Sequence, residues 1–270
     1  MAVASACAYG PRPMGNFSQS ERDGHLFMIT INRPEVLNAL HPAGNAELSD
    51  VFDEFAADPD LWVAIITGAG RGFSAGNDLK YQASGGDRRG QPSTGFGGIT
   101  SRYDLNKPVI AAVNGIAMGG GFEIALACDL IIAAENAVFA LPEVRVGLAA
   151  LAGGVHRLPR TIGTKAALGM ILTGRRVSAA EGLQLGFVNE VVPEGEAVNG
   201  ARRWAEMILE ASPMSVRASK QAVYQGLELA GVEAASKASY SAVVEMTKSA
   251  DFIEGPVAFA EKRTPNWQGR

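Results

Sequence analysis

Apolar residues along this chain recur with two periods, and the period changes often. Leu26 to Asn32 is a short apolar run of strand type, followed by Ala43 to Ala57, where Leu48, Val51, Phe52 and Phe55 fall on one face of a predicted amphipathic helix. Trp62 to Thr67 predicts a second strand that ends at Gly68. Val109 to Val113 is β-branched and apolar and predicts a buried strand. A helix is predicted from about Gly121 to Cys128, then short strands over Asp129 to Ala134 and Ala137 to Leu141. Ser178-Ala179-Ala180-Glu181 is a capping box that opens a helix, and Gly186 is placed to end it. Beyond Pro193 the pattern is almost wholly helical to Lys262, with apolar faces too large to leave in water. Alternating strands and helices predict an α/β core. Residues 81 to 100, rich in Gly, Ser, Arg and Gln, predict a mobile loop beside a pocket.

The apolar stretch from Val109 to Ala134 is long enough to raise the question of a membrane span. Asn114, Glu123, Asp129 and the glycines within it favour a buried strand–helix–strand, so no membrane partner is expected. The chain of 270 residues carries a net charge of −4, which argues against nucleic acid as a partner. Cys7 and Cys128 are far apart, and His25, His41 and His156 are scattered, so no metal site is expected. The free thiols fit a reducing, cytoplasmic setting. Residues 1–24 lack periodicity and a signal-peptide core, and are expected to form a flexible extension.

The segment Lys107 to Glu143 carries the chemistry. Glu123 follows Gly119-Gly120-Gly121, and Glu143 follows Leu141-Pro142, both in apolar surroundings. A carboxylate there is costly unless it is paired, hydrogen-bonded or protonated. The glycines let bare backbone approach a ligand, and the first N–H groups of the following helix lack internal partners. An oxyanion beside them would meet aimed donors. The blander alternative is tight helix–strand packing with Glu123 as a first-turn charge. A second pattern, Gly72-Phe73-Ser74-Ala75-Gly76, fits the Gly-x-Ser-x-Gly of a serine nucleophile, with His156 downstream. Ser74 lies several residues past its predicted strand, and no apolar helix opens after it, which weighs against a hydrolase.

Taken in order, the motifs resemble the enoyl-CoA hydratase/isomerase family, the crotonases. They are Asn32-Arg33-Pro34 with Leu37-Asn38-Ala39-Leu40, Gly72 to Lys80, Lys107 to Gly115, Gly119 to Glu123, Cys128-Asp129, Phe139 to Glu143 with Gly147, Leu172-Thr173-Gly174, Glu254-Gly255 and Ala258 to Arg263. The resemblance covers nearly everything after about residue 25. It implies a spiral of β-β-α units over residues 25–200 and a C-terminal helical trimerisation region over 201–270, with trimers often paired into hexamers. It implies an oxyanion hole from the N–H groups of Asn77 and Gly120, with Glu123 as base toward water and Glu143 as acid toward Cα. Retention of both glutamates favours an enoyl-CoA hydratase, a lyase of fatty-acid β-oxidation type. An isomerase, a specialised acyl-CoA dehydratase and, more distantly, a non-catalytic acyl-CoA binder remain as alternatives. The substrate is an acyl-CoA thioester, and no separate cofactor is implied. By the same resemblance, coenzyme A lies against Val36, Ala75, Leu79, Lys80, Phe259 and Lys262, while Gly76, Asp78, Met118, Gly119 and Pro142 adjoin the substrate. The family's Pro-Gly-Ala-Gly-Gly stretch is replaced by Ala150-Leu151-Ala152-Gly153-Gly154, which alters a turn and directs Leu151 toward an acyl pocket expected to be apolar.

Overall fold

The computed structural model describes residues 16–86 and 91–270. It is built from repeated units of two strands and a helix. In the three central units the first strand joins a large sheet and the second joins a small one. The large sheet contains β1 (Ser18–Asp23), β2 (Leu26–Ile31), β3 (Val63–Gly68), β5 (Val109–Val113), β7 (Leu130–Ala134) and β10 (Glu190–Val192), in that order. The small sheet orders β4 (Gly72–Ser74), β6 (Ile116–Met118), β8 (Val138–Ala140) and β9 (Val177–Ser178). Pairing from β2 through β3, β5 and β7 to β10 is parallel, as is β4 to β6 to β8. Helices α1 (Pro42–Ala57), α2 (Leu79–Ala83), α3 (Gly120–Ala127), α4 (Gly154–Ile162), α5 (Thr164–Ile171) and α6 (Ala179–Leu185) occupy the connections. The result is the α/β spiral of β-β-α units.

Alternation along β2 separates two cores. Phe27, Ile29 and Ile31 point to one side of the large sheet, where they join Phe73, Phe122 and Phe139. The rings of Phe122, Phe139 and Phe187 meet there with centroids 5.1–5.2 Å apart. Leu26 and Met28 point to the other side, with Ile65, Ile110 and Ile132. Helix α7 (Ala197–Leu209) covers that side through Ala197, Ala201 and Ala205, small residues that admit close approach to the sheet. The helical region expected from residue 201 thus begins within α7, and α7 packs with the sheet. It continues through α8 (Pro213–Gly226), α9 (Val232–Lys237), α10 (Ser241–Lys248) and α11 (Ala250–Glu261). None of the helices among the described residues is long and apolar enough to cross a membrane.

Two sequence expectations are corrected. The flexible extension ends before residue 24, because Ser18–Asp23 pairs antiparallel with β2, from Ser18 opposite Ile31 to Asp23 opposite Leu26. The Glu47 carboxylate fixes its start by accepting the N–H of Ser18 at 2.7 Å and the Ser18 hydroxyl at 2.6 Å. Residues 1–15, Cys7 included, lie outside the described residues. The stretch 81–100 is only partly a loop, since α2 runs into it and Phe96–Gly98 forms a buried 3-10 turn against α1. Asn45 of α1 accepts the Gly97 N–H at 2.7 Å.

Helix α8 is fastened to the sheet by Asp129. Its Oδ2 accepts the Val109 N–H at 2.8 Å and the Lys220 ammonium at 2.7 Å, and its Oδ1 accepts the Tyr224 hydroxyl at 3.1 Å. Lys220 also donates to the Lys107 carbonyl at 2.8 Å. Asp129→Ala leaves the Lys220 charge and the Val109 N–H short of a partner, and is expected to cost about 2–4 kcal/mol. Urea denaturation checks this, and a loss below about 0.5 kcal/mol, the scale of an ordinary surface change, contradicts it.

Candidate active site

Three parallel strands of the small sheet end at the same place. Asn77 follows the end of β4, Gly119 and Gly120 follow β6, and Glu143 follows β8. The shared direction of the strands therefore brings three segments, distant in sequence, to one pocket of about 300 Å³.

The backbone supplies two aimed donors. The Leu40 N–H donates to the Gly76 carbonyl at 2.8 Å, and the Asp78 N–H donates to the Leu40 carbonyl at 2.9 Å. In this extended bridge, successive N–H groups alternate in direction, so the Asn77 N–H faces away from Leu40, on the pocket side. Gly120 is the first residue of α3, and its N–H has no partner within the helix. Gly76, at φ +86°, lets the two segments meet: a methyl group there would stand 2.5 Å from the Met118 carbonyl and 2.9 Å from the Gly120 nitrogen. Gly119 takes φ +52° and ψ −124°, open to glycine alone, and its N–H bonds to the Ala140 carbonyl at 2.9 Å. A methyl group on Gly119 would stand 2.8 Å from Glu143 Oε1.

Glu123 lies in the first turn of α3 and is buried, only 3% exposed. Its Oε1 accepts the Gly154 N–H, at the start of α4, at 2.9 Å. Burial pushes this carboxyl up to about 7, and the Glu143 charge adds to the effect; the Gly154 and Ala152 backbone N–H groups and the Arg157 guanidinium oppose it. Glu143 sits in a 3-10 turn, Pro142–Val146. Burial raises its carboxyl as well, against its own backbone N–H. Its Oε2 is buried without a hydrogen-bond partner among the described residues. Such an atom, inside a pocket, is set for a water or a substrate proton.

The walls are mixed. Phe96, Leu148, Leu151 and the alanines 149 and 152 line the pocket. Asn77, Gln91, Thr100 and Ser101 also line it, so the expectation of an apolar acyl pocket is corrected. Leu151 lines the pocket as expected and is 74% exposed.

Pro142 opens the Glu143 turn, and Met118 and Gly76 frame the backbone donors without lining the pocket. Asp78 caps α2 through the Tyr81 N–H at 3.0 Å and pairs with Arg33 at 3.1 Å. Its carboxylate is committed to that structure. Val36 and Ala75 are half-buried, Leu79 and Lys80 are exposed, and none of the four lines the pocket. Phe259 is 88% exposed on α11, and Lys262 caps that helix in the left-handed region; neither lines the pocket. Sequence reasoning missed the Gly154 N–H, Arg157, Phe96, Thr100 and Ser101. The last three come from a segment without periodicity, so no pattern pointed to them. Ser74 is fully buried, donates to the Asn38 carbonyl at 2.8 Å and accepts the Gly76 N–H at 3.1 Å, while His156 is exposed on α4. The serine-hydrolase alternative has no geometry here.

The raised Glu123 carboxyl has a consequence for stability. A group whose folded value lies above its unfolded value of 4.5 stabilises most below pH 4.5 and loses that contribution as pH rises through about 7. Relative to Glu123→Gln, the wild-type protein is expected to lose roughly 3 kcal/mol between these limits. Parallel urea titrations of the two proteins check it, and equal pH slopes contradict it.

The model of the enoyl-CoA hydratase/isomerase family matches residues 21–270. The chain is 45% identical over 256 residues to the carnitinyl-CoA dehydratase of Escherichia coli K12, covering 92% of this chain and 97% of that one. It is 44% identical over 253 residues to that of Proteus mirabilis, covering 92% and 96%. Among solved structures, an enoyl-CoA hydratase from Mycobacterium tuberculosis H37Rv superposes with a TM-score of 0.88 at 38% identity, covering 95% of this chain and all (100%) of that one. One from Bacillus anthracis gives 0.86 at 36% identity, covering 94% and 100%. With two carboxylates and two backbone donors at the ends of three parallel strands, the chain belongs to the enoyl-CoA hydratase/isomerase family, the crotonases, as an enzyme of the hydratase/dehydratase type.

Proposed function

We propose that this protein interconverts a 2-enoyl-CoA and its 3-hydroxyacyl-CoA. The observation that carries this reading is the pairing, in one pocket, of buried Glu123 with Glu143, whose Oε2 has no hydrogen-bond partner among the described residues. Hydration needs a water deprotonated as it attacks Cβ and a proton delivered to Cα. Glu123 takes the water proton and Glu143 delivers the other; dehydration reverses the roles. Two interacting carboxyls titrate as a pair. The thioester oxygen gains negative charge as Cβ is attacked, and the N–H groups of Asn77 and Gly120 receive it without reorganisation. Moving a double bond requires no second carboxylate for a bound water, so an isomerase uses this site less fully.

A specific observation favours a specialised acyl group. Glu123 and Glu143 are the only charged side chains in the described lining, and Asn77, Gln91, Thr100 and Ser101 add polar atoms without positive charge. Such walls suit a short, polar or cationic acyl chain better than a long alkyl one. The 45% identity to carnitinyl-CoA dehydratases points the same way. In this reading carnitinyl-CoA loses its 3-hydroxyl and a Cα proton, and one water leaves.

Coenzyme A, as part of the substrate, extends over Val36, Ala75, Leu79 and Lys80. We place Phe259 and Lys262 against the nucleotide of a neighbouring subunit, in a trimer or hexamer assembled through the apolar faces of α8 to α11. A cytoplasmic location fits this chemistry.

Glu123→Gln and Glu143→Gln are each expected to lower kcat by about 10²–10⁴-fold while the protein stays folded. Loss of enoyl-thioester absorbance with crotonyl-CoA, and its appearance with carnitinyl-CoA, measures this. Near wild-type turnover in either variant contradicts the assignment. A kcat/KM for carnitinyl-CoA below that for crotonyl-CoA contradicts the specialised reading alone.

A further inference from the structure

Arg157 lies outside the pocket and bridges two of its walls. It sits in the first turn of α4, and its N–H bonds to the Gly153 carbonyl at 2.7 Å. Its Nη2 donates to the Thr100 carbonyl at 2.9 Å, and its Nη1 reaches the Ala152 carbonyl at 3.5 Å. The guanidinium also stands 5.6 Å from the centre of the Tyr103 ring. Thr100 and Ala152 both line the pocket, from segments far apart in the chain. Ala152 leads directly into Gly153-Gly154, whose N–H holds Glu123. One planar fork therefore joins the Thr100 segment to the loop that carries the carboxylate's hydrogen bond. A lysine keeps the charge there and loses the fork.

The same guanidinium acts on Glu123 through space. Among the described residues, the charged side chains felt at Glu123 are Glu143, from the turn after β8, and Arg157, from α4. One opposes ionisation and the other favours it. Among the described residues, Arg157 is the positive side chain that offsets the Glu143 charge at this carboxylate.

We propose that Arg157 is a positioning residue for catalysis: it ties the Thr100 segment to the Ala152–Gly154 loop and so holds the Gly154 N–H on Glu123, the group that takes a proton from water. The catalytic half of this inference rests on the proposed role of Glu123 as the base.

The test compares wild type, Arg157→Lys and Arg157→Met in pH profiles of kcat/KM for hydration of crotonyl-CoA, or of dehydration if carnitinyl-CoA is the faster substrate. In hydration the base must be ionised, so the acid limb reports Glu123; in dehydration the same group acts as the acid, and the alkaline limb reports it. Arg157→Met is expected to move that limb up by about half to one pH unit. Its kcat is expected to fall about tenfold, with KM within about twofold, because ground-state binding is untouched. Arg157→Lys is expected to restore most of the limb position and only part of kcat. A folded Arg157→Met protein with an unshifted limb and unchanged kcat overturns the proposal, as does full recovery of kcat by lysine. Circular dichroism establishes folding; if the methionine variant does not fold, the lysine variant alone decides through its kcat. A second readout does not depend on turnover. The pH-dependent stability difference between each Arg157 protein and its Glu123→Gln partner follows the ionisation of Glu123 directly. An upward shift there with turnover insensitive to Glu123→Gln removes the base assignment and keeps the electrostatic coupling; no shift removes the coupling itself.

Discussion

The hydrogen bond from the Gly154 N–H to the Glu123 carboxylate joins the folding problem to the chemistry. A carboxylate buried among phenylalanines and alanines is costly, and its donors must be in place before any substrate arrives. Gly154 supplies one from the first residue of α4, close enough that a methyl group there would stand 3.1 Å from Glu123 Cγ. The position of α4 against α3 is therefore tied to the residue proposed to take the water proton. This explains how the chain departs from the family's Pro-Gly-Ala-Gly-Gly stretch without losing the site. Alanine and leucine stand at 150 and 151 in place of proline and glycine, while the donors are backbone groups and Gly153-Gly154 is kept.

The β-β-α repeat does the rest of the positioning. Because β4, β6 and β8 run in parallel, the segments that follow them converge, and each delivers one component: a donor at Asn77, a donor at Gly120 and a carboxylate at Glu143. The large sheet contributes no pocket side chain; it provides a two-sided apolar support that holds the small sheet's ends still. Both donors are backbone N–H groups, fixed by hydrogen bonds and glycine conformations, so their placement does not rest on the side chain of residue 77. The side chains around them are of mixed character, polar at Asn77, Gln91, Thr100 and Ser101.

Much of this was legible in the sequence, and the parts that were not share a cause. Strands with three or more apolar β-branched residues, such as Val109–Val113, announce themselves, as does the Ser178 to Glu181 cap, where Ser178 accepts the Glu181 N–H and Gly186 ends α6 in the left-handed region. Glu123, Glu143 and Gly120 stood out because charge and glycine are improbable in so apolar a run. Strand β1 was missed because Ser18–Asp23 is polar and exists through its pairing with β2 and its tie to Glu47. Short β4 and β6 have too few residues to show a period. Thr100, Ser101 and Arg157 reach the site through tertiary packing of segments remote in sequence, where local pattern carries no information. Phe259, Lys262 and Lys80 do not line the pocket in a single chain.

The most direct test of two glutamates and two backbone donors acting on one thioester is a crystal structure of the Glu143→Gln protein with a bound 3-hydroxyacyl-CoA. The expected result places the thioester oxygen about 3 Å from the nitrogens of both Asn77 and Gly120. The 3-hydroxyl is expected within hydrogen-bond reach of Glu123, with Cα facing residue 143. A thioester seated away from these two nitrogens, or a 3-hydroxyl turned from both residues, would contradict the account.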